Sequence, residues 1–136
     1  MNIPVKSEFL KIMIERGFVH QITDLQNLDL QTCNAQLYGY IGFDCTASSL
    51  HVGSLIQIMM LRWFQKTGNK PIVLMGGGTT KIGDPSGKDK TRKILNEKEI
   101  NKNIKNIEKI LKNFLDVKNP KTKPIFVNNY SWLKGL

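Results

Sequence analysis

Three short apolar segments alternate with longer segments of helical character, and this alternation constrains the fold more than any other feature. The segments LYGYIGF (37–43), PIVLM (71–75) and PIFV (124–127) run too short for helices and are expected as buried strands. The order strand, helix, strand, helix, strand is typical of right-handed βαβ units, whose ligands bind beyond the carboxyl ends of the strands. The sequence therefore predicts an α/β fold with a parallel sheet, about half of a nucleotide-binding sheet.

Apolar periodicity predicts the helices. One is expected over residues 7–17, with Ser7 as N-cap and Gly17 as stop, and a buried one over residues 50–66, ending at Gly68. The clearest amphipathic helix follows, with an apolar stripe formed by Ile100, Ile104, Ile107, Ile110, Leu111, Phe114 and Leu115. Its opposite face is marked by Lys102, Lys105, Lys109 and Lys112.

Composition indicates one globular domain, or part of one, rather than a membrane or secreted protein. The chain has 136 residues, 40% of them hydrophobic, and no apolar run reaches the roughly 18–20 residues of a membrane span. Its N-terminus lacks the uninterrupted apolar core of a secretory signal, so a cytoplasmic location is expected. Cys33 and Cys45 stand twelve residues apart outside any metal-ligand spacing, and they are expected as reduced thiols.

Charge is distributed unevenly. Residues 1–60 hold three Lys/Arg against five Asp/Glu, whereas residues 61–136 hold seventeen against six, within a net charge of +9. Clustered cations attract nucleic acid or polyphosphate. A solvated surface is the alternative for most of these lysines, because Lys, Asn and Ile are abundant together in this part of the chain.

The segment GGGTTKIGDPSGKDK (76–90) is rich in turn-forming residues and is expected as a loop. It fits neither phosphate-binding template, since Gly83 and Gly87 are one residue too close for a P-loop and the dinucleotide template would require glycine in place of Lys81. What the segment offers is Asp84, as a ligand or a turn cap, followed by two cations, Lys88 and Arg92.

The stretch GFDCTASSLHVGSL (42–55) is more specific. Ser48 or Ser49 is expected to cap the next helix, which places His51 in its first turn. Free N–H groups and the positive end of the helix dipole attract phosphate there, and Thr46 and His51 add donors. Gly53, expected inside the helix, would let a flat ligand group approach the backbone. A purely structural role is the alternative for His51, and the other histidine of the sequence, His20, is expected at the surface or in packing.

These residues resemble a known family. YIGFDCTASSLHVGSL is similar to the signature of class I aminoacyl-tRNA synthetases in its tyrosyl form, and the similarity continues through RWFQKTGNKPIVLMGGGTTKIGDPSGK, Arg92 and NNYSW (128–132). The resemblance covers nearly the whole chain. It implies a Rossmann-like nucleotide-binding fold, present only as its N-terminal half, with residues 1–136 as the N-terminal portion of the catalytic domain.

The resemblance also implies a reaction and its partners. The carboxylate of L-tyrosine attacks the α-phosphate of ATP, supplied with Mg²⁺, and tyrosine then passes to tRNA(Tyr). The carboxylate is already ionised, so alignment and charge stabilisation supply the rate rather than a strong base. Neither a protein-bound metal nor a membrane is expected, and the full-length protein is expected to be a homodimer.

Residue roles follow from the same resemblance. Tyrosine would be held by Tyr40 through its phenolic oxygen and by Asp84 through its ammonium group. Catalytic stabilisation of the phosphates would come from Thr46, His51, Lys88 and Arg92. The ATP site would be lined by Gly42, Asp44, Thr46, His51, Gly53 and Ser54.

Three departures from the family pattern stand out. Ser54 occupies the place of a second histidine, and Cys45 replaces a proline, which gives up a fixed φ before the helix. The chain also ends at Leu136, before the second half of the sheet, so it is expected to be inactive alone. A noncatalytic nucleotide- or RNA-binding module that uses the basic helix is the alternative function.

Overall fold

A three-stranded parallel sheet forms the centre of the protein. The computed structural model describes residues 4–82 and 95–135. Strands β1 (Tyr38–Phe43), β2 (Lys70–Met75) and β3 (Ile125–Asn128) lie in the order β1-β2-β3. Both pairings are parallel, with Tyr40 opposite Ile72 and Leu74 opposite Val127. The predicted α/β fold with a parallel sheet is confirmed.

In the described part of the chain, six helices accompany the sheet: α1 (Glu8–Glu15), α2 (Leu25–Asn34), α3 (Gly53–Lys66), α4 (Gly77–Ile82), α5 (Glu97–Phe114) and α6 (Tyr130–Leu133). The strands and the helices α3 and α5 form two successive βαβ units, as predicted. Helix α1 also matches its prediction, because the Ser7 hydroxyl accepts a hydrogen bond from Leu10 N at 3.4 Å and Gly17 follows with φ +72°. Among the described residues, no helix is long and apolar enough to cross a lipid bilayer.

The core lies on one face of the sheet. Helices α3 and α5 both contribute to it, and its buried members are Phe43, Cys45, Ile58, Leu61, Val73, Met75, Ile100, Ile104, Ile107, Leu111 and Leu115. On the other face, Tyr38 and Tyr40 are 62% and 69% exposed. The prediction of a buried first strand is therefore wrong for this face, because the described helices cover only the face that carries Phe43 and Val73.

Helix α5 matches the predicted amphipathic pattern and has a cap that the sequence analysis missed. The Asn96 side chain accepts a hydrogen bond from Glu99 N at 2.9 Å, and the Glu99 carboxylate accepts one from Asn96 N at 3.2 Å. This capping box satisfies two N–H groups at the start of the helix. An Asn followed three residues later by Glu was the signal available in the sequence.

Helix α4 contradicts the prediction that the whole Gly-rich segment is a loop. Thr80 N donates to Gly76 O at 2.8 Å, and Gly78 N donates to the Asn129 side chain at 2.7 Å. A Cβ on Gly77 would overlap with the Asn128 amide. The glycines here therefore serve the close approach of α4 to the end of β3, and that contact favours a helix where local propensity favours a turn.

The apolar stripe of α5 generates a stability prediction. Leu111 is completely buried between the sheet and α3, so Leu111→Ala should lower the free energy of unfolding by about 2–5 kcal/mol through lost contacts and a cavity. Urea denaturation followed by circular dichroism measures it. Lys105→Ala on the exposed face of the same helix is the control, with an expected change within about 0.5 kcal/mol. Equal losses in the two variants would contradict this placement of the stripe.

Candidate functional site

A cavity of about 480 Å³ opens where β1 ends and the chain turns toward α3. The carboxyl end of a parallel strand is the place where α/β folds bind their ligands. All six residues that the resemblance implies for ATP line this cavity: Gly42, Asp44, Thr46, His51, Gly53 and Ser54. The remaining lining residues, none of which the sequence analysis assigned to a ligand, are Phe43, Ala47, Ser49, Leu50 and Gln57. Gln57 stands one helical turn after Gly53, and that spacing was its signal.

His51 lies before α3 rather than in its first turn, so the predicted placement is wrong. The helix begins at Gly53, and its N-cap is Val52 rather than Ser48 or Ser49. The reason is local, because the Nδ1 atom of His51 accepts a hydrogen bond from Gly53 N at 3.0 Å. With Nδ1 accepting, the neutral imidazole carries its proton on Nε2, which leaves the ring one N–H donor.

Gly53 is the first residue of α3, not an interior one as predicted, so the cost of about 1 kcal/mol relative to alanine that a glycine inside a helix carries does not arise here. A Cβ on Gly53 would lie 2.8 Å from Cε1 and 2.9 Å from Nδ1 of His51. Any side chain at this position would therefore push the imidazole away from the Gly53 N–H. The absence of a side chain at Gly53 therefore allows the His51 ring to keep its position beside the cavity.

Ser54 and Asp44 complete the polar lining. Ser54 is buried, and its N–H donates to His51 O at 3.0 Å. The Oδ1 atom of Asp44 accepts hydrogen bonds from Thr46 N at 2.9 Å and from the Thr80 hydroxyl at 3.3 Å. The hydrogen bond between the Thr46 N–H and the Asp44 carboxylate thus fixes two residues that line the cavity relative to each other.

Of the other predicted site residues, Tyr40 is the one that the described part of the chain contains, and it lies outside this cavity. Tyr40 lies on β1, on the sheet face opposite the core, and is not among the residues that line the cavity. Asp84, Lys88 and Arg92 lie outside the described residues. Within residues 4–82 and 95–135, no group of three or more His, Cys, Asp or Glu side chains could hold a metal ion.

A charged cluster near α4 was also missed by the sequence analysis. The ammonium group of Lys81 pairs with the Glu97 carboxylate and donates to the Tyr130 hydroxyl at 3.0 Å. These contacts raise the pKa of Lys81 to about 12 and lower the pKa of Glu97, in both cases chiefly through the hydrogen bond between the two side chains. The cluster joins the last turn of α4 to the first turns of α5 and α6. Its members are 16 to 49 residues apart in sequence, so no local pattern marks them.

Comparison with protein-family models decides the family. The model described as tRNA synthetases class I (W and Y) matches residues 32–136. The chain belongs to this class I tRNA synthetase family. The match contains β1, the cavity and both βαβ units.

Two relatives within this synthetase family are both named tyrosine–tRNA ligase. A tyrosine–tRNA ligase of Pelagibacter ubique is 67% identical over 96% of this chain, and one of Beijerinckia indica is 56% identical over 99% of it. The chain spans about a third of each of these two relatives, 32% of their length. A solved structure, a C-terminally truncated mitochondrial tyrosyl-tRNA synthetase of Aspergillus nidulans, is 25% identical with a TM-score of 0.77 and covers 95% of this chain and 39% of its own.

Cys45, which stands where the synthetase signature has proline, is completely buried beside the cavity. Its thiol donates a hydrogen bond to Phe43 O at 3.5 Å. Burial raises the pKa of this thiol to about 11. The residue is therefore a packed apolar anchor at the end of β1, although it gives up the fixed φ of proline.

The two cysteines should differ sharply toward an alkylating reagent. At pH 8 roughly one thousandth of Cys45 is thiolate, because its pKa is near 11, whereas Cys33 is exposed. Iodoacetamide should label only Cys33 in the folded protein and both residues in urea, as read by mass spectrometry of the peptides. Equal labelling rates without urea would contradict the burial of Cys45.

Proposed function

We propose that residues 1–136 are the N-terminal portion of the catalytic domain of a tyrosine–tRNA ligase. That enzyme activates L-tyrosine with ATP to tyrosyl-adenylate and transfers tyrosine to tRNA(Tyr). The observation that carries the proposal is the cavity at the end of β1, because all six of the residues proposed for ATP line it. The family match and the names of the relatives support the same reaction.

The phosphates of ATP are assigned to Thr46 and His51. The Nε2–H of His51 is free of the Gly53 bond and is the donor that meets phosphate charge as pyrophosphate departs. Lys88 and Arg92 add positive charge in this proposal. Mg²⁺ enters with ATP as part of the substrate, and no residue of the described chain is assigned to it.

The adenylate and the tyrosine take separate parts of the strand end. Gly42, Asp44, Gly53 and Ser54 line the adenosine side of the cavity. Tyr40 is assigned to the phenolic oxygen of tyrosine, and Asp84 to its ammonium group. Tyr40 is exposed on β1, only two residues before Gly42, which supports a tyrosine site adjacent to the cavity.

The activity is assigned to a protein that contains this chain together with the remaining two thirds found in the relatives, and residues 1–136 alone are proposed to be inactive. That protein is proposed to be a cytoplasmic homodimer. A noncatalytic module that uses the basic face of α5 is not favoured. One of its lysines, Lys112, already pairs with Glu108 at 3.5 Å and lies over the Phe126 ring.

Pyrophosphate exchange tests the proposal. Residues 1–136 are joined to the part of the Pelagibacter ubique relative that follows the matched region, giving what we call the joined enzyme. It should catalyse tyrosine-dependent exchange of pyrophosphate into ATP. His51→Ala should remove about 2.7–4 kcal/mol of transition-state stabilisation, a fall of roughly a hundredfold or more in kcat. Tyr40→Phe should mainly raise the KM for tyrosine, because it removes one hydrogen bond, which contributes roughly 0.5–1.5 kcal/mol to the free energy of binding.

The chain supplies matched controls for both variants. His20 is the other histidine and is exposed, so His20→Ala should leave the exchange rate unchanged. Tyr38 lies two residues before Tyr40 on the same exposed face, and Tyr38→Phe should leave the KM for tyrosine unchanged. Absence of exchange in the joined enzyme, or unaltered exchange in both His51→Ala and Tyr40→Phe, would overturn the proposal.

A further inference from the structure

One residue of the segment that follows β1, Cys45, is buried although it lies outside the regular secondary structure. Cys45 is 0% exposed and lies in neither a strand nor a helix. Its backbone N–H and C=O groups are therefore removed from water, and they have no partners in the hydrogen-bond pattern of a strand or a helix. Buried backbone groups of this kind need partners from elsewhere in the fold.

The first partner is Thr80 of α4, which is 6% exposed. The hydroxyl oxygen lies 3.3 Å from Cys45 N and 3.3 Å from Asp44 Oδ1. A hydroxyl has one proton to donate, so the chemistry fixes both directions: Thr80 accepts from the Cys45 N–H and donates to the Asp44 carboxylate. One side chain thus holds a backbone group and a cavity-lining carboxylate at once.

The second partner is Asn103 of α5, which is 9% exposed. Its Nδ2 donates to Cys45 O at 2.9 Å, across 58 residues of sequence. Thr80 and Asn103 therefore hold the two polar groups of a single residue from two different helices. A buried amide placed in this way has no solvent alternative for its hydrogen bond.

The residues on either side of Cys45 are the ones exposed to the cavity. Asp44 and Thr46 line it, and Thr46 N donates to Asp44 Oδ1, the same oxygen that accepts from Thr80. A shift of Cys45 would move both neighbours. Tyr40, by contrast, is fixed by the pairing of β1 with β2, opposite Ile72.

We propose that Thr80 and Asn103 are positioning residues for ATP, which act by holding Cys45 so that Asp44 and Thr46 keep their places in the cavity. This inference rests on the proposed function. It assigns no contact between either residue and the substrate. On the ATP side, Asp44 and Thr46 adjoin the residue that α4 and α5 hold, whereas Tyr40 on the tyrosine side is held by the sheet.

Steady-state kinetics of the joined enzyme tests the inference. Thr80→Val keeps the shape of the side chain and removes the hydroxyl, and Asn103→Ala removes the amide donor. Each should raise the KM for ATP, and thereby lower kcat/KM for ATP, by about tenfold to a hundredfold, since small displacements of aligned groups have effects of this order. The KM for tyrosine should stay within about twofold of the parent value.

Conservative and matched variants distinguish positioning from general destabilisation. Thr80→Ser retains the hydroxyl and should restore the parent KM for ATP. Asn106→Ala makes the same change three residues along α5, at a side chain without a hydrogen bond among the residues that the structure describes, and it should behave as the parent. Asn103→Asp, which replaces the N–H donor by an oxygen, gives a second test if Asn103→Ala does not fold.

The outcomes separate the two proposals. An inactive parent enzyme would overturn the proposed function itself. An active parent in which Thr80→Val and the Asn103 variants leave the KM for ATP unchanged, or raise the KM values for ATP and tyrosine equally, would overturn the positioning role alone. Failure of Thr80→Ser to restore the KM for ATP would do the same.

Discussion

The parallel pairing of β1 with β2 is the interaction on which the rest of the structure depends. Phe43 lies opposite Met75 at the end of the ladder, and one further bond, from Gly76 N to Phe43 O at 2.9 Å, carries the pairing past the strands. A Cβ on Gly76 would come within 3.2 Å of that oxygen. The pairing therefore sets α4 directly beside residues 44–46. A slip of one residue would exchange the core face of β1 with its exposed face and remove this arrangement.

Helix α5 adds the second constraint. Its apolar stripe packs on α3 and the sheet, and Asn103 lies within that stripe as a buried polar residue between Ile100 and Ile104. The same packing that stabilises the helix thus brings an amide donor to Cys45. Gln65 of α3 makes a comparable link, since its side chain bonds to Asp116 O and Thr122 O at 2.7 and 2.9 Å. The packing of α5 in the core consequently also determines the position of Cys45 beside the cavity.

Much of the fold could be predicted because apolar periodicity records it directly. The three strands, α1 and α5 follow from that pattern, and α3 does so apart from its first turn. Helix α2 has no buried residue and shows only weak periodicity; it is held instead by Asp29, which accepts the N–H groups of Lys6 and Ser7 at 2.8–3.0 Å. Helix α4 depends on contacts with residues about fifty positions away, which local propensity does not contain.

The candidate site was predictable to a similar degree. Residue types and a family resemblance were enough to select six of the eleven residues that line the cavity. They misplaced His51, because the hydrogen bond that Gly53 N donates to the His51 ring moves the start of the helix. Thr80 and Asn103 left no signal, since each acts on Cys45 across 35 or 58 residues.

Nucleotide phosphate is expected to bind at the end of β1 rather than on the basic face of α5. Titration of the ¹⁵N-labelled chain with Mg-ATP, followed by amide chemical shifts, distinguishes these two places. The largest shifts are expected at the amides of Thr46, His51 and Gly53, with those of Lys102, Lys105 and Lys109 unmoved. Largest shifts along those α5 lysines, or none in residues 42–57, would contradict it.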